Sequence, residues 1–299
     1  MKGKKELPYG SIVALVTPFD KYGRVDCKKI KQLVGWHKAS GTVGIVACGT
    51  TGEGATLTDA EKRLVTETCV TAADGEIFVL AGSGSNDTAK ATELSRELSK
   101  TGADGLLVVT PFYNRTNADG LFRHFESVAD AVDLPIMLYN VPSRTGCEIS
   151  FDVAKKLKSH PNVGGIKEAS GNLSFAAKIA TLTDENFSLY CGNDDLILPY
   201  LSIGAKGVVS VWANFTPTKV AELLTAWQVG DVERARKIQL RYLDFINLLF
   251  AEPNPIPIKT LLNMAGFNVG LPRLPLGRLS AKTRQELKKQ VLGLGESLK

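Results

Sequence analysis

The sequence predicts an α/β protein, a (β/α)8 TIM barrel followed by a C-terminal helical extension. Short runs rich in Val, Ile and Leu recur about every 20 to 35 residues, and the stretches between them have helical periodicity. After the eighth run, beyond residue 217, the pattern is helical only. Eight βα units are the number that closes a barrel, and this count decides the fold class.

Eight segments are predicted to be strands. Their apolar content is nearly continuous, which is typical of parallel strands covered by helices on the outside. In chain order these segments are residues 11–19, 42–49, 77–82, 105–110, 135–140, 163–168, 188–192 and 207–212.

Capping residues mark the beginnings of several predicted helices. Thr58 precedes a helix at residues 59–73 and has Glu61 in the capping-box position, and Asp87 precedes a helix at residues 88–100. After the last strand, helical segments are predicted at residues 218–228, at 232–250, from 258 onward, and at 281–292. We therefore predict two domains, a catalytic barrel at residues 1–230 and a C-terminal α-helical domain at residues 231–299.

Composition excludes several classes of protein. The formal net charge of +5 is spread along the chain, and its densest cluster, residues 1–5, lacks interleaved aromatic residues, so we expect a solvated face and no nucleic-acid binding. No segment has the length of a membrane span or a secretory signal. Five scattered cysteines and three histidines form no disulfide or zinc pattern, so we expect a cytoplasmic protein without a metal ion.

Lys167 is the residue that indicates a reaction class. It lies within the sixth predicted strand, and period-two alternation points it into the barrel if Ile166 faces the helices. Desolvation there would favour the neutral amine that forms a Schiff base. The alternative is a structural lysine, paired with an acid such as Glu168.

Polar residues follow the other strands at their C-terminal ends, where barrels of this type carry their active sites. Thr50 and Thr51 lie between glycines after the second strand and can cradle a small carboxylate, although the segment can also be only a tight turn. Tyr113 and Tyr139 follow the fourth and fifth strands and can transfer protons to a carbonyl, or can serve packing alone.

Two further strand ends carry charged residues. Arg144 can bind a carboxylate through two parallel hydrogen bonds, or can be a surface arginine. Asp194 and Asp195 can form a metal or acid–base pair, but we favour a capping role for the helix that follows them. Since histidines are absent from these strand ends, a lysine route is preferred to a metal-dependent aldolase.

Taken together, these segments resemble the dihydrodipicolinate synthase family, within the superfamily that includes N-acetylneuraminate lyase. The resemblance extends over essentially the whole chain. The matching motifs, in order, are GTTGE, TPFYNR, YNVPSRTG, GIKEAS, GNDD and NPIPIK, where the last corresponds to residues 254–259.

The resemblance implies a role for each matching residue. Lys167 would condense with pyruvate, and Thr51, Tyr113 and Tyr139 would pass protons. Tyr113 would reach into the site of a neighbouring subunit, which implies a dimer and usually a homotetramer built from two dimers. The implied substrate-binding residues are Thr50 and Thr51 for the pyruvate carboxylate, Arg144 for the carboxylate of L-aspartate 4-semialdehyde, and in addition Gly192 and Val209.

The implied activity is the condensation of pyruvate with L-aspartate 4-semialdehyde, a step toward diaminopimelate and lysine, without a cofactor. The alternatives are an aldolase for 2-keto-3-deoxy sugar acids or N-acetylneuraminate, also acting through Lys167, and a barrel that binds ligands without catalysis. The motifs around Tyr113 and Arg144 favour the synthase. Where lysine-inhibited members have a histidine and a glutamate, this chain has Asp59 and Lys90, so the resemblance implies weak or absent feedback by lysine.

Overall fold

A computed structural model describes residues 6–298 of the chain. Eight parallel strands form a closed barrel in chain order, and the last strand pairs with the first, which confirms the predicted fold. The basic cluster at residues 1–5 lies outside the described residues. The strands are β1 (Gly10–Ala14), β2 (Gly44–Ala47), β3 (Phe78–Gly82), β4 (Gly105–Val109), β5 (Ile136–Asn140), β6 (Val163–Glu168), β7 (Ser188–Cys191) and β8 (Gly207–Ser210).

Helices follow each strand and continue after β8. Thr58 caps the second helix through the predicted capping box with Glu61, and Asp87 caps the third. Among residues 6–298, no helix combines the length and the apolar composition that a membrane crossing requires. The helices are α1 (Cys27–Ala39), α2 (Asp59–Ala73), α3 (Thr88–Ser99), α4 (Ala118–Ala129), α5 (Pro142–Thr145), α6 (Phe151–Lys158), α7 (Leu173–Ala180), α8 (Ile197–Ser202), α9 (Pro217–Gln228), α10 (Val232–Leu248), α11 (Ile256–Met264) and α12 (Ala281–Gly293).

Several strands end earlier than the sequence predicted. The first was expected at residues 11–19, but β1 ends at Ala14. Beyond it, the Val16 N–H donates to Oδ1 of Asn214 at 3.0 Å, and the Phe19 N–H donates to the carbonyl of Val269 at 3.0 Å. These buried apolar residues therefore connect the barrel to the C-terminal extension instead of prolonging the sheet.

Two apolar layers surround the strands. The inner layer fills the barrel with side chains such as Ile12, Leu80 and Met137, and the outer layer lies between strands and helices. Ile166 belongs to the outer layer, so its neighbour Lys167 points into the barrel, as period-two alternation predicts.

The C-terminal extension packs on one side of the barrel. α10 contacts α8, α9 and α12, and Phe245 and Leu249 at its end belong to the same apolar layer as the barrel helices. The chain then turns back toward the C-terminal ends of the strands before α11 begins. The division into domains at residue 230 stays a prediction.

Candidate active site

A cavity opens at the C-terminal ends of the strands, where the sequence places the functional residues. It contains the strand lysine, both threonines of the loop after β2, and residues of the C-terminal extension. Six of the predicted site residues line it, namely Thr50, Thr51, Tyr139, Arg144, Lys167 and Gly192.

Lys167 lies in β6, opposite Tyr139 in the parallel register with β5. Its side chain is 5% exposed, and its Nζ is 4.2 Å from the centroid of the Tyr139 ring. Within the described part of the chain, no carboxylate lies within ion-pair distance of it. The alternative pairing with Glu168 is wrong, because that carboxylate accepts hydrogen bonds from Asn140 Nδ2 and the Ser170 N–H, both at 2.6 Å.

Glycine at position 192 makes room for this lysine. A Cβ atom there would lie 2.5 Å from Cβ of Ala169 and 3.1 Å from Cε of Lys167. The first distance is shorter than real Cβ contacts allow, so a larger residue would displace the lysine stem or the strand beside it. The position of Lys167 therefore depends on the absence of a side chain at Gly192.

Residues 49–54, which we call the threonine loop, fold tightly onto the end of β2. A Cβ at Gly54 would lie 2.1 Å from the carbonyl oxygen of Cys48, so only glycine fits. The Thr17 hydroxyl donates to the carbonyl of Gly52 at 2.6 Å. Thr51 is 2% exposed, and its Oγ1 accepts a hydrogen bond from Nδ2 of Asn254 at 2.9 Å.

A buried ion pair anchors the threonine loop to the C-terminal extension. The Lys259 ammonium lies 2.7 Å from Oε1 of Glu53, and both side chains are fully buried. Lys259 also donates to the carbonyl of Thr17 at 3.0 Å, while the Arg273 N–H donates to the other oxygen of Glu53 at 2.8 Å. Burial holds the pKa of Lys259 below its usual value, and Glu53 opposes that shift.

The rim of the cavity carries the residues that can meet a second ligand. Ser143 and Arg144 are exposed there, and no carboxylate between residues 6 and 298 pairs with Arg144. Phe250, 43% exposed, lies on the rim from the side of the C-terminal extension. An unpaired guanidinium at a cavity mouth is free to bind a carboxylate through two hydrogen bonds.

Asp194 has a structural position that differs from the one predicted. Oδ2 accepts from the N–H groups of Val211 and Trp212, both at 2.9 Å. Neither the 3-10 helix that begins at Asp194 nor α8 after it has a side-chain capping bond. The capping prediction was therefore wrong for Asp194, which instead fixes the wall of the cavity at Val211. Burial raises its pKa, and the positive charge of Lys167 opposes this.

Residues 6–298 contain no group of three His, Cys, Asp or Glu side chains arranged for a metal ion.

Two predicted site residues do not line the cavity of this chain. Val209 is buried in the inner apolar layer, beside Ile12 of β1. Tyr113 is 92% exposed on the connection after β4, where both Tyr113 and Arg115 have positive φ angles, 71° and 38°. Positive φ is a strained conformation for side chains of this size. The expected role of Tyr113 in a neighbouring subunit stays a prediction.

Sequence reasoning missed the contributions of the C-terminal extension. Asn254 and Phe250 line the cavity although they follow the last strand by more than a helical hairpin. The one sequence feature that could have indicated these residues is the proline-rich stretch after α10. Its motif NPIPIK contributed to the family resemblance, but it was not predicted to be part of the site.

Comparison with known proteins agrees with this geometry. A model of the dihydrodipicolinate synthetase family matches residues 7–293. The 4-hydroxy-tetrahydrodipicolinate synthase of Caldicellulosiruptor bescii is 47% identical over 290 residues, 97% of this chain and 98% of the relative.

Solved structures give the same result. The dihydrodipicolinate synthase from Aquifex aeolicus has a TM-score of 0.94 and 43% identity, with 97% of this chain and 99% of that chain covered. The enzyme from Acinetobacter baumannii complexed with pyruvate has a TM-score of 0.94 and 38% identity, with 97% and 100% covered. Since the family model and these relatives each match nearly the whole length, the chain belongs to the dihydrodipicolinate synthetase family.

Proposed function

We propose that this chain is a Schiff-base-forming lyase that condenses pyruvate with L-aspartate 4-semialdehyde. The observation that carries the proposal is a buried lysine, Lys167, which has no acidic partner among residues 6–298 and lies beside Tyr139 in a cavity at the strand ends. Relatives named for this synthase activity, and the solved relative complexed with pyruvate, support it.

The first half of the reaction uses the residues deepest in the cavity. Thr50 and Thr51 hold the pyruvate carboxylate, and the neutral amine of Lys167 attacks the C2 carbonyl. The carbinolamine loses the carbonyl oxygen as water and becomes an imine. Tyr139 and Thr51 transfer the protons of these steps, and loss of a proton from the methyl carbon gives a nucleophilic enamine.

The second half uses the rim. The enamine carbon attacks the aldehyde of L-aspartate 4-semialdehyde, whose carboxylate binds the unpaired guanidinium of Arg144. The aldehyde oxygen takes up a proton and becomes the 4-hydroxyl. The amino group of the second substrate then displaces Lys167 from the imine and closes the ring, so the lysine returns to its free form and the products are 4-hydroxy-tetrahydrodipicolinate and water. This series of reaction steps needs no cofactor, because the lysine imine itself is the electron sink.

A homotetramer of two dimers completes the proposal. Tyr113 is almost fully exposed on a connection with two positive φ angles, and a strained, exposed aromatic segment is better explained by a partner that covers it than by solvent. In a dimer, the phenol of Tyr113 takes part in the proton transfer of the neighbouring site.

A cytoplasmic location is also part of the proposal, and the five free cysteines support it.

Weak or absent feedback by lysine remains a prediction from two positions. Asp59 lies at the first turn of α2 and pairs with Lys62 at 3.4 Å, and Lys90 lies at the first turn of α3. The cation of Lys90, near a site for lysine, would repel the ammonium group of that ligand. Steady-state assays with added L-lysine test this, and inhibition at micromolar concentrations would refute it.

Borohydride reduction in the presence of pyruvate tests the proposed chemistry. We expect a reduced pyruvate adduct on Lys167, located by peptide mass spectrometry, and no adduct when pyruvate is left out. An unmodified protein would indicate a barrel without catalysis. Side-by-side kinetics with N-acetylneuraminate and a 2-keto-3-deoxy sugar acid form the second arm, where a large preference for either sugar acid would replace the proposed second substrate.

A further inference from the structure

Asn254 connects the C-terminal extension directly to a threonine of the active site. It lies between α10 and α11, is 5% exposed and lines the cavity. Its Nδ2 donates to Oγ1 of Thr51 at 2.9 Å, across 203 positions of sequence. This hydrogen bond joins a residue of the extension to a residue that transfers protons in the proposed function.

The direction of this hydrogen bond determines what the threonine can do. A hydroxyl group has one proton to donate and lone pairs that accept. Since Oγ1 of Thr51 accepts from the amide, its own proton is left for another acceptor, and among the described residues it donates to none. The proton is therefore available to the cavity, which Tyr139 lines and in which the proposed function places the substrate.

Other contacts already dock this segment on the threonine loop. Lys259 pairs with Glu53, and the Arg273 N–H donates to the same carboxylate. The segment therefore does not need Asn254 to stay in place. The amide also leaves its Oδ1 buried without a hydrogen-bond partner within residues 6–298, whereas most buried polar side-chain atoms in proteins have one.

We propose that Asn254 is a positioning residue for the reaction, which aims the Thr51 hydroxyl proton into the cavity. The inference rests on the proposed function, in which Thr51 passes protons during imine and enamine formation. Asn254 acts through Thr51 and not through the docking of the extension, so its loss slows turnover more than it weakens pyruvate binding.

Two substitutions test the donor role. Asn254→Leu removes the amide at similar size, and Asn254→Asp keeps the size but offers only acceptors, so the Thr51 proton must turn toward it. We expect kcat to fall about 10- to 100-fold in both, with the KM for pyruvate changed much less. A kcat for Asn254→Asp equal to that of the wild type would overturn the proposal, and this variant serves the test if the leucine variant does not fold.

A double-mutant cycle separates positioning from a merely structural effect. Thr51→Val removes the hydroxyl through which Asn254 acts, so adding Asn254→Leu to it should change kcat by less than about twofold. An additive loss, as large as in the wild-type background, would contradict the proposal. Asn263 is the matched control, because its amide bonds Gly270 and Val269 in the same segment, away from the cavity.

For Asn263→Leu we expect a lower thermal midpoint, kcat within about twofold of the wild type, and additivity with Thr51→Val. A fall in kcat as large as that of Asn254→Leu would show that any loosening of the segment suffices, and would reject positioning by Asn254. Measurements on the wild type distinguish this failure from failure of the proposed function. If the wild type turns over and gives the borohydride adduct but the mutant cycle is additive, the inference alone is rejected. If the wild type shows neither turnover nor an adduct, the proposed function is rejected.

Discussion

Two buried lysines in this protein have similar surroundings at first sight and opposite consequences. Lys167 is 5% exposed and Lys259 is fully buried, and each ammonium lies 4.2 Å from the centroid of an aromatic ring, of Tyr139 and Phe19 respectively. Lys259, however, has Glu53 at 2.7 Å and a backbone carbonyl at 3.0 Å. No carboxylate pairs with Lys167 in the part of the chain that the structure describes.

The difference shows how partners decide whether a buried lysine is structural or chemical. Removing an ammonium from water costs several kcal/mol, and a carboxylate with additional hydrogen bonds offsets most of that cost. Lys259 has these partners and ties the extension to the threonine loop. Lys167 lacks them and faces a cavity, so its nitrogen is free to meet a ligand there.

The largest expected effect is that of Lys167→Met. Without the amine no imine forms, so kcat with both substrates should fall at least ~10⁴-fold and the borohydride adduct should disappear. Because the ammonium has no partner to lose, the free energy of unfolding should stay the same or rise by about 1 kcal/mol. Steady-state kinetics, mass spectrometry and urea unfolding measure the three quantities.

A marked loss of stability in Lys167→Met would break the comparison, because it would indicate a structural partner for this lysine. Lys206→Met is a suitable control, since that lysine pairs at the surface with Glu6 at 3.8 Å. A surface pair of this kind contributes about 0–1 kcal/mol, and the control should keep full activity.

Lys259→Met should have the reverse profile. Removing Lys259 leaves the Glu53 carboxylate buried without its ion-pair partner, with the Arg273 N–H as its remaining donor, which costs about 3–5 kcal/mol of unfolding free energy. The borohydride adduct on Lys167 should still form in the folded fraction, because Lys167 and its cavity contacts remain. Urea unfolding followed by circular dichroism measures the loss.

The double variant Lys259→Met with Glu53→Gln sharpens this prediction. Neutralising the stranded carboxylate should restore about 2 kcal/mol of the lost stability. If the double variant is as unstable as Lys259→Met alone, the loss comes from packing of the lysine stem and not from an unpaired charge.

The same pair of lysines indicates how far sequence reasoning reaches. The inward direction of Lys167 was predicted because side-chain alternation along a strand is a local property, and the strand places this residue at the barrel mouth. Lys259 and Asn254 were not predicted as partners of Glu53 and Thr51, because these contacts join residues 206 and 203 positions apart. No local pattern records which distant segment a buried charge will meet.

Strand ends and caps have the same limitation at shorter range. The barrel was predicted in full, but β1 was extended too far because Leu15 and Val16 are apolar and buried without being part of the strand. Asp194 was expected to cap its own helix, yet its partners are the N–H groups of Val211 and Trp212, 17 and 18 residues later. An apolar run or an acidic residue predicts burial or a hydrogen bond, but not the partner.

Gly192→Ala tests the space around Lys167 with an effect of intermediate size. The new Cβ would lie 2.5 Å from Ala169 and 3.1 Å from Cε of Lys167, so the amine should move within the cavity. Misplacement of a reacting group by about 1 Å lowers kcat by about 10²-fold.

Gly35→Ala in α1 is the control, since a Cβ at that position would have no neighbour within 4 Å, and it should leave kcat unchanged. Equal kinetics of the two alanine variants would show that Lys167 does not depend on Gly192.

Arg273→Leu gives the smallest expected effect and tests the surroundings of Lys259. The Arg273 side chain pairs with Glu61, and this pairing holds the pKa of Glu61 at about 2, below its usual value of 4.5. Because the folded-state pKa is lowered, the pair stabilises the protein above pH 4.5, and that contribution is lost as the pH falls from 4.5 toward 2. In Arg273→Leu the unfolding free energy should therefore change less with pH over this range, measured as urea midpoints at successive pH values.

Arg63→Leu is the control: it removes an exposed arginine from the same helix as Glu61 and should keep the wild-type dependence on pH. An unchanged slope in Arg273→Leu would mean that the capping box with Thr58 alone lowers the pKa of Glu61, and that Arg273 serves the Lys259 pair only through its backbone N–H.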